Sequence, residues 1–334
     1  MVPLRSFGSM FATHVVAPIV LAGILPIAIV AGAQHAAGGD AQVRAPAGTF
    51  HSGVDLVRLG VTARDPSGRI VHDLRREEFA VHDDGVLQEI SHFGQHESPI
   101  SVVVLLDRSS SMHGEKMMHA IDGVEAFVKA LRAPDETLLI TFGGTVDALG
   151  EFGLEPRTIL RELRRVNADG GTRLYDAVVE AARLIGDRER HEKRAILVLS
   201  DGEDTLSTAR LEEAAGAVKR TGVPLYAIGI EFGQDVYAGR AAKDALWRRL
   251  EGDAGVKGLM QMADASGGWA YSIEAARRCK EVCLRVADEL RNQYLLGCSP
   301  ANLERDGRWH QIGVRTSREG VKLATRPGYF ASGS

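Results

Sequence analysis

An α/β fold built on a doubly wound, mostly parallel sheet, with flanking β segments, is predicted by three features of the sequence. An apolar run, Ile100 to Leu106, reads as a strand buried on both faces. Apolar strands then alternate with helical patterns as far as Arg291, the order that specifies a parallel sheet covered by helices on both sides. Before and after this region lie short alternating segments, each too small to enclose a core of its own.

In the N-terminal flank, Val54 to Val61 reads as a strand and Pro66-Ser67-Gly68 as a turn, with a second strand near Ile70-Val71. Phe79 to His82, the Asp83-Asp84-Gly85 turn and Val86 to Phe93 read as a hairpin. After Ile100 to Leu106 the pattern predicts a helix from Glu115 to Leu131, a strand at Leu138 to Phe142, and helices at Arg157 to Val166 and Leu174 to Ile185. A strand at Ala195 to Leu199, a helix at Leu211 to Arg220 and a strand at Pro224 to Ile230 follow. Phe232 to Gly255 is weakly patterned, an inserted loop with a helix around Ala241 to Leu250. Lys257 to Ala265 (helix), Gly268 to Ser272 (strand) and Ala275 to Arg291 (helix) complete the region. Alternation returns at Gln293 to Cys298, Trp309 to Thr316 and Val321 to Thr325. The economical arrangement is residues 98–291 as one α/β domain inserted between residues 49–97 and 292–334, which pair into a small β-sandwich.

Residues 1–33 have a different character. Arg5 is the only charged side chain before an apolar stretch from Val15 to Ala33, which closes on Ala31-Gly32-Ala33, a small-x-small pattern suited to signal peptidase. The stretch reads either as a cleaved signal or as a retained anchor, since 19 residues at ~1.5 Å each span roughly 28 Å. Both readings place the rest outside the cytoplasm, as a periplasmic, secreted or anchored protein. Residues 34–48, rich in Ala, Gly, Gln and Pro, read as a linker. With 40 basic against 44 acidic side chains and no basic stripe, nucleic acid is not an expected partner. A membrane is expected only through the N-terminal anchor. Cys279, Cys283 and Cys298 are too few for a disulfide framework and read as structural thiols.

The chemistry concentrates where strands end. Asp107-Arg108-Ser109-Ser110-Ser111 follows the first buried strand, and an extended loop there aims residues 107, 109 and 111 at one point. Ligands of open parallel sheets bind beyond the carboxyl ends of strands. Asp169-Gly170-Gly171-Thr172 precedes a helix, and Ser200-Asp201-Gly202 follows a strand, so both loops are expected at the same edge. One carboxylate and two hydroxyls, joined by Thr172 and Asp201, are hard oxygen donors suited to Mg²⁺ or Mn²⁺. Taken singly, each piece has a plain structural use: Ser109 or Ser111 as a helix cap, Gly170-Gly171 and Asp201-Gly202 as turns.

Together, Asp107-x-Ser109-x-Ser111, Thr172 and Asp201 resemble the five-residue metal-ion-dependent adhesion site of the von Willebrand factor type A domain, whose fold is Rossmann-like. The resemblance covers residues 98 to about 291. Gly171 to Ala177, Ser200 to Asp204, Asn292 to Pro300, Phe79 to Phe93 and Arg326-Pro327-Gly328-Tyr329 are similar to a bacterial, often exported subfamily. Ser110 departs from the many relatives with Gly there. The resemblance implies that Ser109 and Ser111 bind the ion directly, Thr172 directly or through water, and Asp107 and Asp201 mainly through water. It implies a binding module in which an Asp or Glu of a partner protein completes the shell, with Arg108, Ser110 and Arg173 on the rim. No His stands in these loops except His113, and no Gly-x-Ser-x-Gly, His-Glu-x-x-His or Walker pattern occurs. Catalysis is therefore not expected. The alternatives are a metal-dependent hydrolase and a scaffold that binds through its β flanks.

Overall fold

The computed structural model describes residues 56–94, 98–188, 190–230, 236–238, 254–300 and 307–331. The signal or anchor, the linker and the helix expected at Ala241 to Leu250 lie outside the described residues. In the N-terminal flank, β1 is Val57–Arg64, β2 Phe79–Asp83, β3 Val86–Gln88 and β4 Ile90–Gly94. β1 runs three residues past the expected Val61 because Thr62, Ala63 and Arg64 are buried. The strand expected near Ile70 shrinks to a single bridge with Arg64. The expected strand from Val86 splits at Glu89: β3 stays beside β2, while β4 crosses to the other sheet.

The central region contains β5 (Ile100–Asp107), α1 (Glu115–Ala130), β6 (Glu136–Phe142), β7 (Val146–Ala148), α2 (Pro156–Leu163), α3 (Leu174–Gly186) and β8 (Lys193–Ser200). Then come α4 (Leu211–Thr221), β9 (Leu225–Ile230), β10 (Val236–Ala238), α5 (Ala254–Ser266), β11 (Ala270–Ile273) and α6 (Cys279–Arg291). Seven strands form one sheet in the order β10-β11-β9-β8-β5-β6-β7. The five inner strands are parallel, and β7 and β10 close the two edges antiparallel. Side-chain alternation divides the core. Val102, Val104 and Leu106 pack with α1, α2 and α6 on one face, while Val103 and Leu105 pack with α3, α4 and α5 on the other. On α1, Met117, Ala120, Val124 and Phe127 recur at helical spacing and are buried. Gly123 lets α1 approach α6, since a Cβ there would lie 3.0 Å from the Cys283 sulfur. All three cysteines are buried, and none forms a disulfide.

The C-terminal flank supplies β12 (Tyr294–Cys298), β13 (Trp309–Thr316), β14 (Lys322–Ala324) and β15 (Gly328–Phe330). Two antiparallel sheets result, β14-β1-β12-β4 and β15-β13-β2-β3. Each contains strands from both ends of the chain, and residues of both sheets share one core, including Leu59, Val61, Phe79, Val81, Tyr294, Leu296 and Ile312. Neither flank closes this core without the other. β12 is buried along its whole length. The short strands β7, β10 and β15 carry too few residues for a legible alternation.

One buried cluster joins the sandwich to the α/β domain. Arg64 of β1 pairs with Glu289 of α6 and hydrogen-bonds to Tyr271 of β11. Its guanidinium also lies 4.2 Å from the Trp269 ring centroid. Glu289 is fully buried, and burial holds its carboxyl above the ordinary carboxylate range despite the Arg64 charge. Among the described residues no helix is long and apolar enough to cross a membrane.

Candidate metal centre

β5 and β8 are neighbours whose onward connections run in opposite directions, which opens a crevice at their carboxyl ends. The parallel register sets Leu106 beside Leu199, so Asp107 and Ser200 emerge together. Asp107 is fully buried. Its Oδ1 accepts the Ser109 backbone N–H at 2.8 Å, and its Oδ2 accepts the Ser200 hydroxyl at 2.5 Å. Burial pushes this carboxyl up to about 6, against the hydrogen bonds from Ser200 and Ser109 that favour its charged form. The Ser200 hydroxyl also accepts the Gly202 N–H at 2.9 Å.

After Asp107 the chain turns through a short 3₁₀ segment, Ser110–Met112, with Ser109 at its N-cap in extended conformation. That turn brings the Ser109 and Ser111 hydroxyls within 3.1 Å of each other. Backbone bonds fasten this loop to the next one: Ser110 N–H to Gly170 O at 2.9 Å, and Asp169 N–H to Arg108 O at 2.7 Å. Gly170 has φ +78°, a left-handed conformation that glycine adopts without penalty. At Gly171 a Cβ would stand 2.7 Å from Leu206 Cδ1, so side chains of the third loop pack directly against this backbone.

Thr172 is buried at the head of α3. Its N–H donates to the Thr205 hydroxyl at 2.9 Å, and its carbonyl accepts the Thr205 and Leu206 N–H groups. The Asp176 carboxylate accepts the Thr208 and Ala209 N–H groups, and the Asp204 carboxylate accepts the Tyr175 N–H and the Ser207 hydroxyl. The acidic residues flanking the expected ligands thus brace the loops. Asp201 is 6% exposed; its Oδ1 is buried with no hydrogen-bond partner, and its Oδ2 lies 3.4 Å from the Lys116 ammonium. Gly202, at φ +78°, backs onto Gly255, where an added Cβ would sit 2.7 Å from the Gly255 carbonyl carbon.

Of the expected ligands, Asp107, Ser109 and Ser111 form one bonded group. Ser200 links that group to the loop carrying Asp201, and Thr172 is tied to residues 205 and 206 of the same loop. On the expected rim, Ser110 is exposed. Arg108 is held by the Thr145 hydroxyl and the Asp147 carboxylate, both at 2.8 Å. Arg173 is held by Gly144 O at 2.9 Å and Asp176 at 3.0 Å. Four participants had no role in the sequence reading: Ser200, Lys116, Thr205 and Gly255. Ser200 alone left a local signal, as the hydroxyl that ends an apolar strand beside Asp201. The others reach the centre only through tertiary contacts.

Known proteins resemble parts of this chain. A family model described as von Willebrand factor type A domain matches residues 102–203. Inter-alpha-trypsin inhibitor heavy chain H2 of Sus scrofa is 26% identical over 196 residues, covering 52% of this chain and 20% of the relative. Its Homo sapiens counterpart is 23% identical over 192 residues, with the same coverage. The chain thus spans about a fifth of the length of these relatives. Among solved structures, a von Willebrand factor type A protein from Catenulispora acidiphila superposes with a TM-score of 0.49 at 14% identity, covering 85% of this chain and 76% of that one. An aerotolerance-related membrane protein from Bacteroides fragilis superposes with a TM-score of 0.44 at 18% identity, covering 57% of this chain and 98% of the other. The likeness to the von Willebrand factor type A domain thus lies in residues 102–203, within the α/β part of the chain.

Proposed function

We propose that the chain is a metal-ion-dependent binding module, exported from the cytoplasm, that captures a carboxylate of a partner protein. Domains of this type generally mediate protein–protein interaction and adhesion. The observation that carries the reading is the clustering of Asp107, Ser109 and Ser111 beside Asp201, whose Oδ1 is buried without a partner. A buried, unsatisfied carboxylate oxygen is costly unless a cation or donor meets it. The donor set is all oxygen, which fits Mg²⁺ or Mn²⁺ and disfavours softer ions. Asp107, Ser109, Ser111, Thr172 and Asp201 would hold the ion. When bound, it would supply a concentrated positive charge and exchangeable water positions open to an outside carboxylate.

The protein's own part is to keep that charge under-neutralised. Asp107 is engaged by Ser200 and the Ser109 N–H, and Asp201 is shared with Lys116, so neither carboxylate is fully available to cancel a cation. Ser110, exposed beside the cluster, and Arg108 and Arg173, anchored on neighbouring loops, form the rim against which a partner would be selected. Calorimetry with Mn²⁺ tests the reading: one equivalent should bind the chain and none the Asp107→Ala variant, whose circular dichroism should be unchanged. Capture of a protein from native extract should then need Mg²⁺ or Mn²⁺ and fail in chelator. Absence of Mn²⁺ uptake by the parent chain would overturn the proposal. Turnover of a hydrolysable substrate lost in the same variant would favour the hydrolase, and capture indifferent to chelator would favour the scaffold.

A further inference from the structure

A second polar site lies at the opposite edge of the same sheet. A cavity of about 530 Å³ opens between the sandwich and the amino-terminal ends of β8 and β9. This size suits a small-molecule ligand. β8 has eight residues, so at ~3.3 Å per residue this cavity is roughly 23 Å from the strand end that carries Asp201. Its lining includes four cationic side chains, Arg58, Lys193, Arg194 and Arg326, against one carboxylate, Glu192. That carboxylate is already paired with Arg58 at 2.9 Å.

Arg326 is the unusual member. It stands between β14 and β15, and Gly222 and Gly267 make room for it. A Cβ at Gly222 would meet Arg326 Nη1 at 2.5 Å, and one at Gly267 would meet its Cα at 2.4 Å. Two glycines with positive φ thus seat Arg326 at the cavity wall, Gly222 against its guanidinium and Gly267 against its backbone. Its Nε is buried with no hydrogen-bond partner, and among the described residues no carboxylate pairs with it. The Tyr329 ring lies 5.9 Å away. Burial, and then the nearby Arg194 cation, hold its proton affinity down, to about 10. Arg194 itself is held by the carbonyls of Ile185, Gly186 and Arg188 at the end of α3. Two guanidinium groups lining one cavity, one of them without an acceptor among the described residues, are an uncompensated arrangement. Donors that await a second partner of opposite charge are the way proteins recognise oxyanions.

We propose that this cavity binds a small oxyanion bearing two or more negative charges, a phosphate ester or a polycarboxylate, and that Arg326 is the residue that meets it. Gln293 and Tyr226, hydrogen-bonded to each other at 3.1 Å, add neutral polar groups to the wall. The site is independent of the metal centre, and because β1 and β12 also line it, a bound anion would fasten the sandwich to the domain.

The test is calorimetry on the full chain at low salt with a chelator present, using inorganic pyrophosphate in one arm and citrate in the other. One equivalent of at least one anion should bind, and the preferred arm identifies the source as phosphate or carboxylate. Arg326→Gln should weaken that binding tenfold or more, while the anion-free variant melts no lower than the parent. Asp107→Ala should leave the affinity unchanged. Should Arg326→Gln fail to fold, Arg58→Ala, at an exposed position of the wall, should weaken binding about threefold. Failure of the parent chain to bind either anion overturns the proposal, as does affinity unmoved in a folded Arg326→Gln variant or, failing that variant, in Arg58→Ala.

Discussion

Replacing Arg64 by Met tests how the sandwich is fastened to the α/β domain. Arg64 is 4% exposed and Glu289 is fully buried, so the substitution leaves a carboxylate deep in the protein without its cation. Removing one partner of a buried pair typically costs about 3–5 kcal/mol. At about 2–4 °C per kcal/mol for a chain of this size, the melting temperature at pH 8 should fall by about 10 °C. The loss should depend on pH in a definite direction. Burial already raises the Glu289 carboxyl above its ordinary range, and without Arg64 the largest opposing influence is gone. A group that binds its proton more tightly when folded favours the fold at low pH and ceases to do so as pH rises through its folded value. The deficit should therefore be greatest at pH 8 and shrink towards pH 5. Adding Glu289→Gln, which keeps an acceptor for the Tyr271 hydroxyl, should recover about 2–3 kcal/mol of the loss at pH 8. Urea unfolding of the parent, both single variants and the double variant, at the two pH values, measures all of this. A deficit independent of pH, or single-variant losses that simply add, would refute the account of a buried pair whose members depend on each other.

Other outcomes follow from the same geometry. Mn²⁺ at about a hundred times its dissociation constant should stabilise the parent chain by about 2.7 kcal/mol, seen as a rise of roughly 5 °C in the melting curve, and should leave Asp107→Asn unmoved. Lys116→Met removes a cation 3.4 Å from Asp201 Oδ2 and should tighten Mn²⁺ binding about fivefold, the effect of roughly 1 kcal/mol of Coulomb repulsion under strong screening; equal affinities by calorimetry would exclude this role. Gly202→Val places a branched side chain at φ +78° against the Gly255 backbone and should cost about 2 kcal/mol or more, with loss of Mn²⁺ uptake. Unfolding and calorimetry on that one variant check both.

Much of the architecture is written locally. The run Ile100 to Leu106 declares a strand buried on both faces, because every residue there except Ser101 fills one of two cores. Helical spacing on α1 and α3 marks which face packs, and polar residues clustered after β5 and β8 mark where packing stops. Such signals are legible because burial imposes a period of 2 or 3.6 on neighbouring residues. They do not reveal where strand partners lie. The split of the Val86 to Phe93 segment at Glu89 is set by β12, some two hundred residues away, and no periodicity in the segment records it.

By itself, then, the sequence determined the α/β class, the order of the main elements and the placing of the oxygen-bearing residues Asp107, Ser109, Ser111, Thr172 and Asp201 at the ends of strands or before a helix, since each is a matter of residue type and local pattern. The tertiary structure alone decided that Ser200 binds Asp107, that Lys116 stands beside Asp201, that Gly202 rests on Gly255, and that Arg326 lines a cavity with no carboxylate paired to it among the described residues. These are contacts between distant segments. Each depends on how the segments pack in space, and spacing along the chain carries no trace of it.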